Sequence, residues 1–243
     1  MSPAVRLSGA AALLALGLGA CESTQDRSAQ LQKQGAKVLA AQHGLSITTV
    51  SRDVHIERTD VVTDANGTAA AVVLRNLRPN PLGTVPIAIN VTGPGGKSVF
   101  RNDTPGLQPS LVSVAALPPH GVITWVNDQV TPDSRATAVK ATAGAGGGGA
   151  PPALPTLKIG APRLTNDPIS GAEVVGKITN ASNVAQAKLF IYVSAWRGSK
   201  LVSAGRGAIQ RLNPGASAPY HVYLIGNPAG ASFTVDAPPT VLR

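Results

Sequence analysis

Short runs of alternating apolar and polar residues, each closed by glycine or proline, recur along most of this chain. The clearest run places apolar side chains at every second position, at Val85, Ile87, Ile89 and Val91. Successive side chains of a β-strand point to opposite faces, so this pattern predicts a strand with one buried face. A Gly-Pro-Gly-Gly turn at 93–96 follows, and a second run begins at Lys97, which predicts a hairpin. No later segment has a convincing helical period, and we expect an all-β protein.

Composition and turn spacing divide the strand pattern into two domains. Glycine and proline contribute 46 of the 243 residues, about 19%, which is high for a globular chain but below the level typical of disorder. They concentrate in 141–156, which we interpret as a flexible linker between a domain at 46–140 and a domain at 157–243. Two units of about 90 residues with six or seven short strands fit tandem immunoglobulin-like β-sandwiches. Small barrels are the second option.

The two predicted domains carry matching turn residues, which indicates an internal repeat. Asn76 ends a strand in the first domain as Asn180 does in the second, 104 positions later. A Leu-x-Pro sequence starts at Leu117 and again at Leu212, which is 95 positions later. Trp125 and Tyr220 are also separated by 95 positions. The first copy is therefore nine residues longer, and we place the extra residues in the 101–110 loop.

The first residues have the form of an export signal. Arg6 precedes an apolar run that is too short to be a conventional transmembrane helix, and residues 1–20 are predicted to be a signal peptide. The run ends in Leu18-Gly19-Ala20-Cys21, which resembles the lipobox of bacterial lipoproteins. The resemblance implies that Cys21 becomes the acylated first residue, carrying palmitate-type chains, and that 21–45 is a polar tether. An ordinary secretory leader that leaves a free thiol is the alternative.

Export as a lipoprotein implies a location on the outer face of a bacterial membrane, in the periplasm or at the cell surface. Cleavage would remove Arg6 and lower the formal charge from +9 to +8. Residues 151–243 contain nine basic and three acidic side chains. This surplus favours anionic partners such as phospholipid head groups or an anionic envelope polymer, and it also serves solubility. An exported chain is not expected to meet nucleic acid.

Residue types used in catalysis and metal binding are scarce. The chain has one cysteine, four histidines and 12 acidic residues, and its histidines are scattered. Gly93 to Ser98 has part of a phosphate-binding loop, but Val91 stands where that motif needs its first glycine. We therefore expect no cofactor, no metal site and no catalytic residues.

Residues 172–225 resemble the FxLYD-type immunoglobulin-like domains of prokaryotic surface proteins. The resemblance rests on a strand that ends at Asn180, on the Phe190-Ile191-Tyr192 sequence, and on Leu212-x-Pro214-Gly215 before a closing strand. It implies a non-catalytic surface domain and assigns no functional residues.

One set of residues in the second domain predicts a binding face. Leu189, Ile191 and Val193 alternate with aromatic residues, and so do Tyr220, Val222 and Leu224. With the aliphatic side chains in the core, an aromatic and basic outer face is expected to suit a carbohydrate or a protein. Its candidate residues are Phe190, Tyr192, Trp196, Arg197, Lys200, His221 and Tyr223. The alternatives are that the aromatics point inward, or that the first domain or a loop covers them.

Together these features predict a non-catalytic cell-envelope lipoprotein that presents immunoglobulin-like domains for adhesion, scaffolding or accessory binding. The alternative is an accessory module that presents a small ligand to an envelope enzyme or transport system.

Overall fold

The computed structural model describes residues 28, 32–35, 43–146 and 150–243. The chain divides into two units, Met1–Ala41 and Gln42–Arg243. In the first unit, residues 32–35 are helical and exposed. Among the described residues all 15 strands lie in the second unit, and the predicted all-β fold class is confirmed.

The strands fall into two groups on either side of residues 144–156. The first group consists of β1 (Val54–Asp64), β2 (Gly67–Asn76), β3 (Val85–Thr92), β4 (Ser98–Arg101), β5 (Ser113–Val114), β6 (Val122–Val130) and β7 (Ala138–Ala143), with 3-10 turns at Pro94–Gly96 and Pro109–Leu111. The second consists of β8 (Leu157–Ile159), β9 (Arg163–Asp167), β10 (Gly171–Asn180), β11 (Gln186–Arg197), β12 (Lys200–Leu212), β13 (Ser217–Tyr223), β14 (Ile225–Gly226) and β15 (Ser232–Asp236).

Each group forms a sandwich of two antiparallel sheets. In the first half, sheet I has the order β4-β3-β5 with β7 also paired to β3, and sheet II has the order β1-β2-β6. In the second half, sheet III has the order β14-β12-β11-β15, and sheet IV has the order β13-β10-β8 with β9 also paired to β10. In the first half β1 and β2 share a sheet with β6, while β3 pairs with β7. In the second half β8, β9 and β10 share a sheet with β13, while β11 pairs with β15. This partition is that of immunoglobulin-like sandwiches.

Two hydrophobic cores hold the sheets together, and one of them extends across both halves. The second core lies between sheets III and IV and is built around residues such as Val174, Ile178 and Leu189. The first core lies between sheets I and II, but it also includes Tyr192, Trp196, Leu201, Ala204 and Ile225 from the second half. In β2 five consecutive residues, 68–72, are buried, which requires that both faces of sheet II are covered. The sheets are therefore layered in the order I, II, III, IV.

The internal repeat predicted from the sequence is present in the hydrogen bonding. The side-chain amide of Asn76 donates to Asn80 O at 2.9 Å, and its oxygen accepts from Arg78 N at 2.9 Å. Asn180 repeats this arrangement: it donates to Val184 O at 2.8 Å and accepts from Ser182 N at 3.0 Å. Both asparagines are fully buried beside the Leu-x-Pro turn of their own half.

The strand registers repeat at the same two offsets. Val72 pairs with Trp125 in the first half, and Gly176 pairs with Tyr220 in the second. In the second half β12 is one continuous strand. The corresponding part of the first half is interrupted, because β4 ends at Arg101 and β5 begins only at Ser113. The nine extra residues therefore lie in this segment, which overlaps the predicted loop.

The start of the predicted linker needs a correction. Strand β7 continues to Ala143, and Gly144 forms a bridge with Val50, so residues 141–144 belong to the first sandwich. Pairing along β3 holds these small residues in the sheet although their composition is typical of a linker.

Candidate functional site

Strand β11 has the two faces that its sequence predicts. Leu189, Ile191 and Val193 are buried in the second core. The alternate residues Phe190 and Tyr192 point away from that core and pack on the first one. The aliphatic face of β13 is also buried as expected, with Tyr220, Val222 and Leu224 in the second core. The alternation of both strands is therefore confirmed.

The first half covers much of the predicted aromatic face. Tyr192 is 2% exposed and Trp196 is 9% exposed. The guanidinium of Arg58, on β1, lies 4.6 Å from the centre of the Trp196 ring, and the indole nitrogen donates to Ser194 Oγ at 3.0 Å. Tyr192 and Trp196 therefore do not form an open binding surface, because sheet II packs on them. This is the alternative in which the first domain covers the aromatics.

The other aromatic candidates lie on the opposite side of the second sandwich. His221 and Tyr223 belong to β13 in sheet IV, whereas Phe190 and Tyr192 belong to β11 in sheet III. The expectation that His221 and Tyr223 share one outer face with Phe190 and Tyr192 is therefore wrong. His221 Nδ1 lies 2.8 Å from a carboxylate oxygen of Glu173, and Tyr223 is 50% exposed.

Arg197 and Lys200 lie at the end of the β11–β12 hairpin, where they face each other in register. The guanidinium of Arg197 donates to Ala229 O at 2.5 Å. Both residues are exposed.

Three aspartates connect the halves by accepting hydrogen bonds from backbone N–H groups of the opposite half. Asp60 accepts from Leu201 N at 2.9 Å, Asp64 from Gly226 N at 2.8 Å, and Asp236 accepts from Thr124 N at 2.9 Å. Burial raises the pKa of Asp236 to about 6, although its bond with Thr124 acts in the opposite direction. These bonds give the interface a fixed register in addition to its apolar contacts.

Arg206 forms the fourth polar connection. Its side chain is 7% exposed, and its Nε lies 3.2 Å from Asp128 Oδ1. The guanidinium also donates to Ser110 Oγ and lies 5.3 Å from the centre of the Phe190 ring. Burial raises the pKa of Tyr192, and the nearby positive charge of Arg206 reduces that increase. Asp128 and Ser110 come from the first half, so the charge of Arg206 is balanced across the interface.

A cleft opens beside this cluster, between the outer face of sheet III and the 108–115 segment of the first half. Its volume is about 480 Å³, within the range of small-molecule sites. The residues that line it are Thr84, Gln108, Pro109, Ser110, Ser113, Ala115, Ala187, Lys188, Phe190, Tyr192, Ala208, Gln210, Pro238 and Thr240. Of these described residues, only Lys188 and Tyr192 are titratable. The cleft thus offers an apolar floor with the half-buried ring of Phe190, beneath which Tyr192 is almost fully buried, and a rim of hydroxyl and amide groups.

Lys188 has a backbone conformation that is unusual for a strand. Its φ is 49°, in the left-handed region, which is rare for residues other than glycine. Its side chain is exposed and forms no ion pair with another described residue. Such conformations are often found at functional sites. Because Lys188 lines the cleft and forms no ion pair with another described residue, it supplies the cleft with an unpaired positive charge.

The lipobox prediction falls on residues outside the structural description. Residues 1–21, including Cys21, are not among the described residues. Within the described ranges no helix is long and apolar enough to cross a membrane. The same ranges contain no group of three or more His, Cys, Asp or Glu side chains placed to hold a metal ion.

The fold and the cleft define an all-β protein with two packed β-sandwich halves and a cleft between them. The chain matches no protein-family model, and it matches no curated protein at significant similarity. The resemblance of residues 172–225 to FxLYD-type domains therefore stays a prediction.

Proposed function

We propose that this protein is an exported, lipid-anchored envelope protein that acts by binding rather than by catalysis. The observation that carries the binding role is the cleft between the two halves. Its walls come from both sandwiches, and the buried contacts of Arg206, Asp128 and Ser110 lie next to it. A cleft with walls fixed in this way needs little rearrangement to receive a ligand, which reduces the entropy lost on binding.

The lining favours a small ligand with an apolar body and one negative charge. Phe190 provides aromatic contact area, and Gln108 and Gln210 provide amide groups that donate or accept hydrogen bonds. Lys188 is the cation available to an anionic group. This supports the second candidate function, in which the protein presents a small ligand to an envelope enzyme or transport system. Adhesion or scaffolding uses the outer surfaces instead.

The anchor is tested by intact mass and membrane fractionation of the protein from its native host, beside a Cys21→Ala variant. An acylated wild type in the membrane fraction and a soluble variant would support the anchor. An unmodified, secreted wild type would contradict it and would leave a diffusible binding protein.

The cleft is tested with 1-anilinonaphthalene-8-sulfonate, which has two aromatic groups and one sulfonate. Ala208 is exposed on β12 and lines the cleft, so Ala208→Trp is expected to fill it and to weaken dye binding about tenfold. The matched control is Ala138→Trp, at an exposed alanine on β7 outside the cleft. Lys188→Gln should weaken binding of the sulfonate dye but not of an uncharged naphthalene. Equal dye binding by wild type and Ala208→Trp would contradict the cleft as the site.

A further inference from the structure

The outer face of sheet IV carries a line of positive charges that is separate from the cleft. Val174 and Ile178 of β10 are buried in the second core, so the alternate residues Val175, Lys177 and Thr179 point outward. Residues directly opposite on neighbouring strands share a face. The register therefore defines which side chains from β8, β9 and β13 stand beside these three.

The rows of this face follow from the strand pairing. The first row is Arg163, Val175 and His221 across β9, β10 and β13. The second contains Lys177 opposite Pro219, and the third contains Lys158 opposite Thr179. Successive rows are two residues apart along β10, or about 7 Å. The cations thus repeat at roughly that interval along the strand.

These cations are available to a partner. Lys158, Arg163 and Lys177 are exposed, and none of them forms an ion pair with another described residue. Asp167, opposite Gly171, ends this face, and its carboxylate accepts hydrogen bonds from Ile169 N and Ser170 N. The second carboxylate belongs to Glu173, whose residue is 7% exposed. It is already bound by His221 at 2.8 Å and by the Thr165 hydroxyl at 3.3 Å. Neither carboxylate forms an ion pair with Lys158, Arg163 or Lys177, so these three cations remain available to a partner.

A shallow hollow and an exposed aromatic ring complete the face. The hollow has a volume of about 380 Å³ and is lined by Ala161, Arg163, Val175, Gly176, Lys177, Pro219 and His221. Tyr223 stands in the next row, opposite Glu173. Tyrosine rings at a surface pack against the apolar faces of sugar rings and leave the hydroxyl for hydrogen bonding.

We propose that the outer face of sheet IV binds a linear acidic polysaccharide of the cell envelope. Cations in successive rows about 7 Å apart, carried by β9, β10 and β8, match charges that recur along a polymer chain, and screening at this distance is incomplete at physiological salt. The hollow beside the line receives one acidic sugar, and Tyr223 packs on the next. Rows of cations with a hollow beside them match the shape of a polymer chain better than the flat surface of a membrane. This face does not depend on the cleft.

The test uses the full chain and fluorescein-labelled oligogalacturonate, a carboxylated sugar chain, with binding followed by fluorescence anisotropy at low and moderate salt. One variant removes the three face cations: Lys158→Gln, Arg163→Gln and Lys177→Gln. A control variant removes three exposed cations from other surfaces and matches the change in net charge: Arg52→Gln, Lys97→Gln and Lys140→Gln. A Tyr223→Ser variant tests the stacking contact.

The face variant is expected to bind about tenfold more weakly than wild type, with a smaller dependence of the affinity on salt, because fewer counterions are released. The control variant should retain wild-type affinity within about twofold, and neutral labelled dextran should not bind. Equal losses in the two triple variants would overturn the proposal, because net charge alone would then explain binding. Binding to phosphatidylglycerol vesicles without binding to oligogalacturonate would also overturn it in favour of a membrane surface.

Discussion

Substitution of Asp236 by asparagine should remove a pH dependence of stability that burial creates. Asp236 is on β15 and accepts a hydrogen bond from Thr124 N across the interface between the halves. Its pKa is raised from the ordinary value of 3.8 to about 6, mainly because burial disfavours the charged form. The folded protein therefore binds this proton more tightly than the unfolded chain does.

The sign and size of the effect follow from this difference. Protonated Asp236 favours folding, so its stabilising contribution is complete below about pH 4 and is lost as the pH rises to about 6. A difference of about two pKa units corresponds to about 3 kcal/mol of unfolding free energy. Asparagine keeps the shape and the acceptor for Thr124 N but cannot ionise. The variant should be more stable than wild type at neutral pH, by up to about 3 kcal/mol, and close to it at acidic pH.

The assay is urea denaturation at a series of pH values, followed by the fluorescence of Trp125 and Trp196. The difference in unfolding free energy between variant and wild type should grow between about pH 4 and about pH 6 and then level off. Asp133→Asn is the control, because Asp133 is exposed and forms no ion pair with another described residue. A difference for Asp236→Asn that does not vary with pH would refute the reasoning.

Further predictions concern other buried polar groups. Arg206→Met should lower the unfolding free energy by about 3 kcal/mol in urea denaturation, because Asp128 would lose its partner; a loss below about 1 kcal/mol would contradict a close ion pair. Asn76→Ala and Asn180→Ala should each cost about 2 to 4 kcal/mol, since each leaves several buried backbone groups unpaired. A large difference between these two variants would show that the repeated turns are not energetically equivalent. Tyr220→Phe should leave the thermal midpoint unchanged or raise it slightly, because the buried Tyr220 hydroxyl has no hydrogen-bond partner among the described residues; a clear drop would reveal a partner for that hydroxyl.

Local sequence patterns predict β3, the buried faces of β11 and β13 and the internal repeat, but they assign the end of β7 to the linker. Leu189, Ile191 and Val193 are in the core because alternation along one strand depends only on neighbouring residues. The turn asparagines and Leu-x-Pro sequences identify the repeat for the same reason, since each turn forms most of its hydrogen bonds within a short segment or with one partner turn.

The candidate site was only partly predictable because its assembly depends on contacts between distant segments. The sequence does not show that β11 and β13 belong to opposite sheets, so Phe190 and His221 were placed together although the fold separates them. A charged residue such as Arg206 is ordinarily expected at the surface, and the sequence carries no signal of its burial against Ser110. The cleft wall at 108–113 has an irregular sequence that no periodicity describes.

The nine additional residues of the first repeat make the two halves different at the cleft. Two identical copies of a domain carry the same surfaces, so neither copy has a feature that the other lacks. The added segment breaks that equivalence: Gln108, Pro109 and Ser110 form a wall of the cleft, and Ser110 contacts both Trp125 in its own half and Arg206 in the other. The second copy, where β12 is continuous, supplies the flat floor. The cleft therefore depends on a segment that is longer in one half than in the other, and the second half supplies the surface opposite that segment.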